Sequence, residues 1–222
     1  MDTVREDAAQ SQMISSSDIH AALSRIAAAM QEAAAELNAA DGALGDGDLG
    51  ITVSRGFAEA AGATLPDDLG LAFMECAKAV QRVSSSSYGT LLATAAMSTA
   101  KTLKGRIEFD PAEIPALIED ALAAMMARGK GSLGDKTVLD ILYAIAGAMQ
   151  DAPAGEFYER GLAAARATLE EFKGKPNKLG RARMFGEASI GLYDPGQLAL
   201  VRIIEAADPV QARRSGPYRS VP

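Results

Sequence analysis

Asp41, Asp46 and Asp48 fall within one stretch, Asp41-Gly-Ala-Leu-Gly-Asp-Gly-Asp-Leu-Gly50, that also carries four glycines. In a turning or extended backbone, separations of five and then two positions let the three carboxylates converge on one point. Converging carboxylates repel one another unless a cation lies between them, and hard oxygen ligands suit Mg²⁺ or Ca²⁺. The glycines let a ligand approach the main chain closely. A calcium EF-hand is excluded: counted from Asp46, the sixth loop position is Ile51 rather than Gly, and the twelfth is Phe57 rather than Glu. Magnesium, which keeps several waters and shares its shell with substrate phosphates, suits a loop with few carboxylates better. The same stretch also reads as a plain solvated connection between helices, so phosphate and base contacts must come from elsewhere in the chain.

Three other segments offer them. Val83-Ser-Ser-Ser-Ser-Tyr-Gly-Thr90 precedes a helix through Leu91, Leu92, Ala96 and Met97. Its serines either cap that helix or, with the free amides of its first turn, form an anion site. Gly129-Lys-Gly-Ser-Leu-Gly-Asp-Lys-Thr137 looks like a P-loop, but Asp135 follows Gly134, so the Lys-Thr pair is displaced by one position, and no strand precedes it. Between Lys173 and Arg183 five of eleven residues are basic. That run is either a solvated loop or a phosphate-facing one.

Composition removes several alternatives. The single histidine, His20, excludes a Ser-His-Asp arrangement and a multi-histidine metal site. A net charge of −7 without a basic stripe argues against nucleic acid or an anionic membrane as partner. No apolar run approaches bilayer-spanning length. The lone Cys76 excludes a disulfide framework and, in an apolar helical context, is assigned no chemistry. A cytoplasmic location is expected.

Abundant alanine and scarce β-branched runs favour close-packed helices. Eight are expected: from Ser17 or Asp18 to about 38, 51–61, from Leu65-Pro-Asp-Asp to about 83, one after Thr90, one from Asp110-Pro111 to about 128, 138–149, about 154–172, and one opened by Asp194-Pro-Gly196. Residues 1–15 are expected to be a disordered leader, 16–208 the domain, and 209–222 a flexible tail. The four unusual loops occupy every second connection. In an antiparallel up-and-down bundle alternate loops share one end, so the all-α fold would gather acids, serines, Lys/Thr and arginines at one rim.

These residues, in this order, resemble the nucleotide-binding L subunit of dihydroxyacetone kinases. The likeness covers about residues 18–207. It rests on Asp41 with Gly45-Asp-Gly-Asp-Leu-Gly50, on Ser84 with Tyr88-Gly-Thr90, on Gly134-Asp-Lys-Thr137 with Asp140, and on Gly180-Arg-Ala with Gly186-Glu, Ser189-Ile-Gly and Asp194-Pro-Gly196. The resemblance implies an eight-helix antiparallel barrel with ADP or ATP at one end. It implies that Asp41, Asp46 and Asp48 hold two Mg²⁺ ions and that Ser84 and Ser85 contact phosphate. Thr137 and Val138 would lie against adenine, and Arg181, Asp194 and Gly196 would close the nucleotide side. Thr90 and Gly134, in the second and third motifs, are counted with the same site. The chain departs from the family at Leu49, where a His is common, at Gln81 and Arg82, where glycines are usual, at Ser85, which replaces another glycine, and at Val138, where Met is common.

The family holds its sugar covalently on a histidine of a separate K subunit or domain. The resemblance therefore implies a phosphotransferase that is half an enzyme, docking its rim onto a K-type substrate-binding partner that carries dihydroxyacetone or an erythrulose-like ketose. A phosphotransfer protein is a possible second partner. Three alternatives stay open: a kinase subunit for another carrier-bound substrate, such as a fatty acid, a non-catalytic nucleotide-binding regulatory module, and a plain helical scaffold with an incidental Mg²⁺ loop.

Overall fold

The structure, a computed structural model, describes residues 13–84 and 86–208. Among them eight α-helices carry the fold: α1 Ser16–Leu44, α2 Leu49–Ala61, α3 Leu69–Val83, α4 Ser87–Thr102, α5 Ile114–Gly129, α6 Val138–Met149, α7 Phe157–Lys173 and α8 Pro195–Ala206. Each packs on the next, and α8 returns onto α1, so the all-α up-and-down bundle closes into a barrel. Ile26, Met30 and Leu37 of α1 recur at helical spacing and meet Val53, Ile141, Ile145, Leu169, Leu198 and Val201 in the central core.

Local chemistry sets the boundaries. The side chains of Asp68, Ser86, Thr137 and Asp194 accept hydrogen bonds from backbone amides at the starts of α3, α4, α6 and α8. Capping by Asp68 keeps 65–68 outside α3, which begins later than the Leu65-Pro pair predicts. Ring closure is fastened by Arg202 of α8, whose guanidinium bonds both carboxylate oxygens of Glu36 on α1 at 2.7 and 2.8 Å and Glu205 at 2.8 Å. Arg166 of α7 joins the same Glu205 at 2.7 Å.

Two further details differ from expectation. Helix α1 continues to Leu44, so Asp41 stands on a helix and the connecting turn shrinks to 45–48. The closeness of α2 explains this: a Cβ on Gly50 would lie 2.0 Å from the Ala34 carbonyl oxygen, so only glycine permits the contact that braces the end of α1. Ile14–Ser15 (β1), inside the expected leader, pairs antiparallel with Glu108–Phe109 (β2). Phe109 is buried there with Leu69, Leu103 and Leu117, which gives the pairing an apolar anchor at the far end of the barrel. Residues 1–12 of the leader, the tail from 209 and Ser85 lie outside the described residues. No helix among those described is long and apolar enough to cross a membrane.

Candidate functional site

Asp41 on the last turn of α1, Asp46 in the turn and Asp48 at the N-cap of α2 each bring a carboxylate oxygen within 4.8 Å of the other two. Oxygens sharing one Mg²⁺ at 2.0–2.1 Å lie roughly 3–4 Å apart, so small rotations would let the three acids share an ion whose other ligands are water or phosphate oxygens. The donor set is wholly hard oxygen, without His or Cys, and fits Mg²⁺. Asp41 is the best fixed of the three. Its Oδ2 accepts the amides of Asp48 and Leu49 at 3.0 and 3.4 Å, while Asn38 Oδ1 accepts that of Ile51. Helix α1 thus caps α2. Gly47, at φ +76, supplies the left-handed turn between them.

The acids form one wall of a cleft of about 700 Å³ lined by all four unusual loops. Of the residues singled out in the sequence, Asp41, Asp46, Asp48, Ser84, Thr90, Thr137, Val138, Arg181, Asp194 and Gly196 face it. Ser85 falls outside the described residues. Gly134 is not in the lining, and its N–H is committed to Asp140 Oδ1 at 2.6 Å. Among the serines, Ser86 accepts the Gly89 amide as the α4 cap and pairs with the Ser84 hydroxyl at 3.1 Å. Capping and an open hydroxyl face therefore coexist at this turn. The sequence reading missed Arg55 of α2 and Arg128 on the last turn of α5, two further cations on the lining. Arg128 carries only the ordinary signal of a basic C-terminal turn. Leu91, Met125 and Leu139 supply apolar wall.

Across the mouth, Arg181 on the α7–α8 segment forms an ion pair with Asp46. The hydrogen bond to Asp46 and its charge, reinforced by Asp48 and Asp41, hold the guanidinium further above its already high pKa. His20 is exposed near the opposite end of α1; 21 residues at 1.5 Å each place it roughly 30 Å along the axis from Asp41. Cys76 is buried among Ala60 and Ala79, which pushes its thiol up to about 11, and it takes no part in the site.

Behind the cleft lies a buried polar cluster. Lys136, displaced from its P-loop position, is fully buried, and its ammonium donates to the carbonyls of Lys175, Ser189 and Leu192 at 2.8–2.9 Å. Asn177 Nδ2 donates to the Lys136 carbonyl and to Asp194 Oδ1, while Asp194 Oδ2 accepts the Gln197 amide. Burial pushes the Asp194 carboxyl up to about 6 against the opposing effect of those hydrogen bonds, and burial pushes the Lys136 ammonium down.

Comparison with known proteins follows the same pattern. A family model described as the DAK2 domain matches residues 43–208. The ADP-binding subunit of a PTS-dependent dihydroxyacetone kinase from Lactococcus lactis is 30% identical over 79% of this chain and 88% of its own length. The L-erythrulose 1-kinase of Mycolicibacterium smegmatis is 30% identical over 78% of this chain, which matches only 32% of that enzyme. In fold, the crystal structure of C. freundii dihydroxyacetone kinase in complex with AMP-PNP and Mg²⁺ superposes at a TM-score of 0.69 with 21% identity, covering 93% of this chain and 36% of that one.

Proposed function

The chain belongs to the DAK2-domain family, and on that premise we propose that residues 16–208 form the Mg·ADP- or Mg·ATP-binding subunit of a dihydroxyacetone-type kinase. One observation carries the reading: four loops distant in sequence line a single cleft, with three converging carboxylates on one wall. Asp41, Asp46 and Asp48 would hold two Mg²⁺ ions. Bound there, the metal would neutralise polyphosphate charge and favour in-line transfer. Ser84 would donate to phosphate, and Arg181 would leave Asp46 to do the same. Thr137 and Val138 would face the base, with Thr90, Asp194 and Gly196 completing the pocket.

The phosphoryl group would pass to a hydroxyl of dihydroxyacetone or an erythrulose-like ketose, whose proton leaves in exchange. Because His20 is remote from the cleft, the sugar would be held on a K-type partner subunit. Exposed Met184, Phe185, Ile190 and Leu192, on the same segment as Arg181, offer that partner an apolar landing. The Lactococcus relative's name supports ADP as the resident nucleotide and a phosphotransfer protein as its source of phosphoryl groups. A cytoplasmic setting fits these partners.

Calorimetric titration with ADP, with and without Mg²⁺, tests the reading. Binding that requires the metal is expected. Absence of ADP binding at millimolar Mg²⁺ overturns it.

A further inference from the structure

The α7–α8 segment leaves the barrel at Lys173 and returns at Asp194, and its exposed stretch presents Arg181 to the acids. An overhang of this length loses its geometry unless its base is fixed. Both limbs of that base converge on one side chain. Lys136 reaches Lys175 on the outgoing limb, and Ser189 and Leu192 on the returning one. Three donors meet three carbonyls, so the ammonium is saturated without any carboxylate in hydrogen-bond contact. The limbs are then tied to each other and to the loop that precedes α6: the Asn177 amide donates to Ser189 Oγ, the Gly191 amide to the Lys173 carbonyl, and the Lys178 amide to the Asp135 carbonyl.

Placing an ammonium there is costly in two ways. The group is taken wholly out of water, and Lys136 adopts φ +61, a left-handed conformation uncommon for a residue with a Cβ. The surrounding chain imposes that conformation, since Asp140 binds the Gly134 and Thr137 amides on either side at 2.6 and 2.7 Å. Strain and charge burial at one residue, both directed to fixing a loop, are the pattern of a position held for function rather than for packing.

We propose that Lys136 is a positioning residue: its buried ammonium pins both limbs of the α7–α8 segment so that Arg181 faces the acid cluster and Asp194 keeps its place on the cleft lining. The inference rests on the nucleotide reading of that cleft. It assigns Lys136 no contact with phosphate, the role its place beside Thr137 suggests.

The test compares wild type with Lys136→Met and Lys136→Arg by amide hydrogen exchange without nucleotide, by ADP titration at saturating Mg²⁺, and by Mn²⁺ titration without nucleotide. In Lys136→Met, protection across 175–192 is expected to fall at least about tenfold while that of 45–56 is kept. ADP affinity falls by about the same factor, while Mn²⁺ affinity does not fall, because α1 and α2 hold Asp41 and Asp48, and rises by up to about threefold as the loosened Arg181 releases Asp46. Arginine does not rescue, since a planar fork cannot satisfy a pyramidal trio of carbonyls in a sealed space. Should Lys136→Met not fold, Lys136→Gln, which replaces the ammonium by a shorter neutral amide, is expected to produce the same pattern at about threefold or more. Unchanged protection in 175–192 overturns the proposal, and so does a parallel loss of ADP and Mn²⁺ binding. A wild-type protein that binds no Mg·ADP would sink the nucleotide reading instead, while the exchange data still decide whether Lys136 holds the segment.

Discussion

Arg181 and Asp46, from the last and first of the four rim loops, are paired across the mouth of the cleft. The guanidinium occupies one of the three carboxylates that would take a divalent ion, so metal and arginine compete for the same oxygens.

Arg181→Ala should therefore move two affinities in opposite directions. Without nucleotide, Mg²⁺ affinity is expected to rise roughly threefold, since an exposed pair contributes under about 1 kcal/mol. With Mg²⁺ present, ADP affinity should fall about tenfold through loss of a charge-assisted contact. Arg166→Ala, whose side chain pairs with Glu205 at the α7–α8 contact, should leave ADP binding within about twofold. Calorimetry of both variants checks this. Weaker metal binding by Arg181→Ala refutes the competition.

The acids should separate into two kinds. Asp46→Asn is expected to abolish Mg²⁺-dependent ADP binding with helicity and melting temperature unchanged or slightly raised, because like-charge repulsion is relieved. Asp41→Asn should also cost about 1 kcal/mol of stability, since Asp41 Oδ2 caps the first amides of α2. Circular dichroism melts and metal titration of the two variants provide the check; equal stability would remove Asp41 from the capping role.

Asp194 predicts a pH dependence. Its carboxyl is raised to about 6, so the folded protein holds that proton more tightly than the unfolded chain. The resulting stability is present below about pH 4, the ordinary aspartate value, and is lost as pH rises through about 6. Relative to Asp194→Asn, wild type should lose up to about 3 kcal/mol between pH 4 and 7.5. Urea unfolding of both proteins at several pH values measures it. A constant difference between them would mean that Asp194 stays ionised throughout.

Gly50→Ala should cost roughly 1–3 kcal/mol or more, because the added carbon meets the Ala34 carbonyl. It should also weaken Mg²⁺ binding by splaying α1 from α2. A stable variant with intact metal affinity would show that the two helices can separate without disturbing the acids.

Much of this arrangement was legible in the sequence. Helix periodicity, the polar starts Gly134-Asp-Lys-Thr137 and Asp194-Pro-Gly196, and the alternation of unusual loops locate the eight helices and their shared rim, while the caps Asp68 and Ser86 set starts for α3 and α4 that differ from those expected. Those signals are local. Lys136 was not legible, since its partners lie 39 to 56 residues further along the chain and are backbone carbonyls, which carry no residue type. Arg55 and Arg128 escaped for a related reason. An exposed arginine on a helix looks the same whether it faces a cleft or open water, and only the packing of α2 against α1 and α5 against α6 tells them apart. Asp41 reads as a loop residue because glycines follow it; tertiary contact with α2 keeps those residues helical.

Closure of the ring by α8 on α1 also bears on how the molecule comes into being. Neighbours along the barrel are neighbours in sequence, so most of the assembly can proceed by short-range zipping, which is fast. The join between the last helix and the first spans the whole length of the barrel and carries the steepest loop entropy. A chain emerging from the ribosome would therefore present its carboxylates early, yet could not oppose them with Arg181 until that seam had sealed.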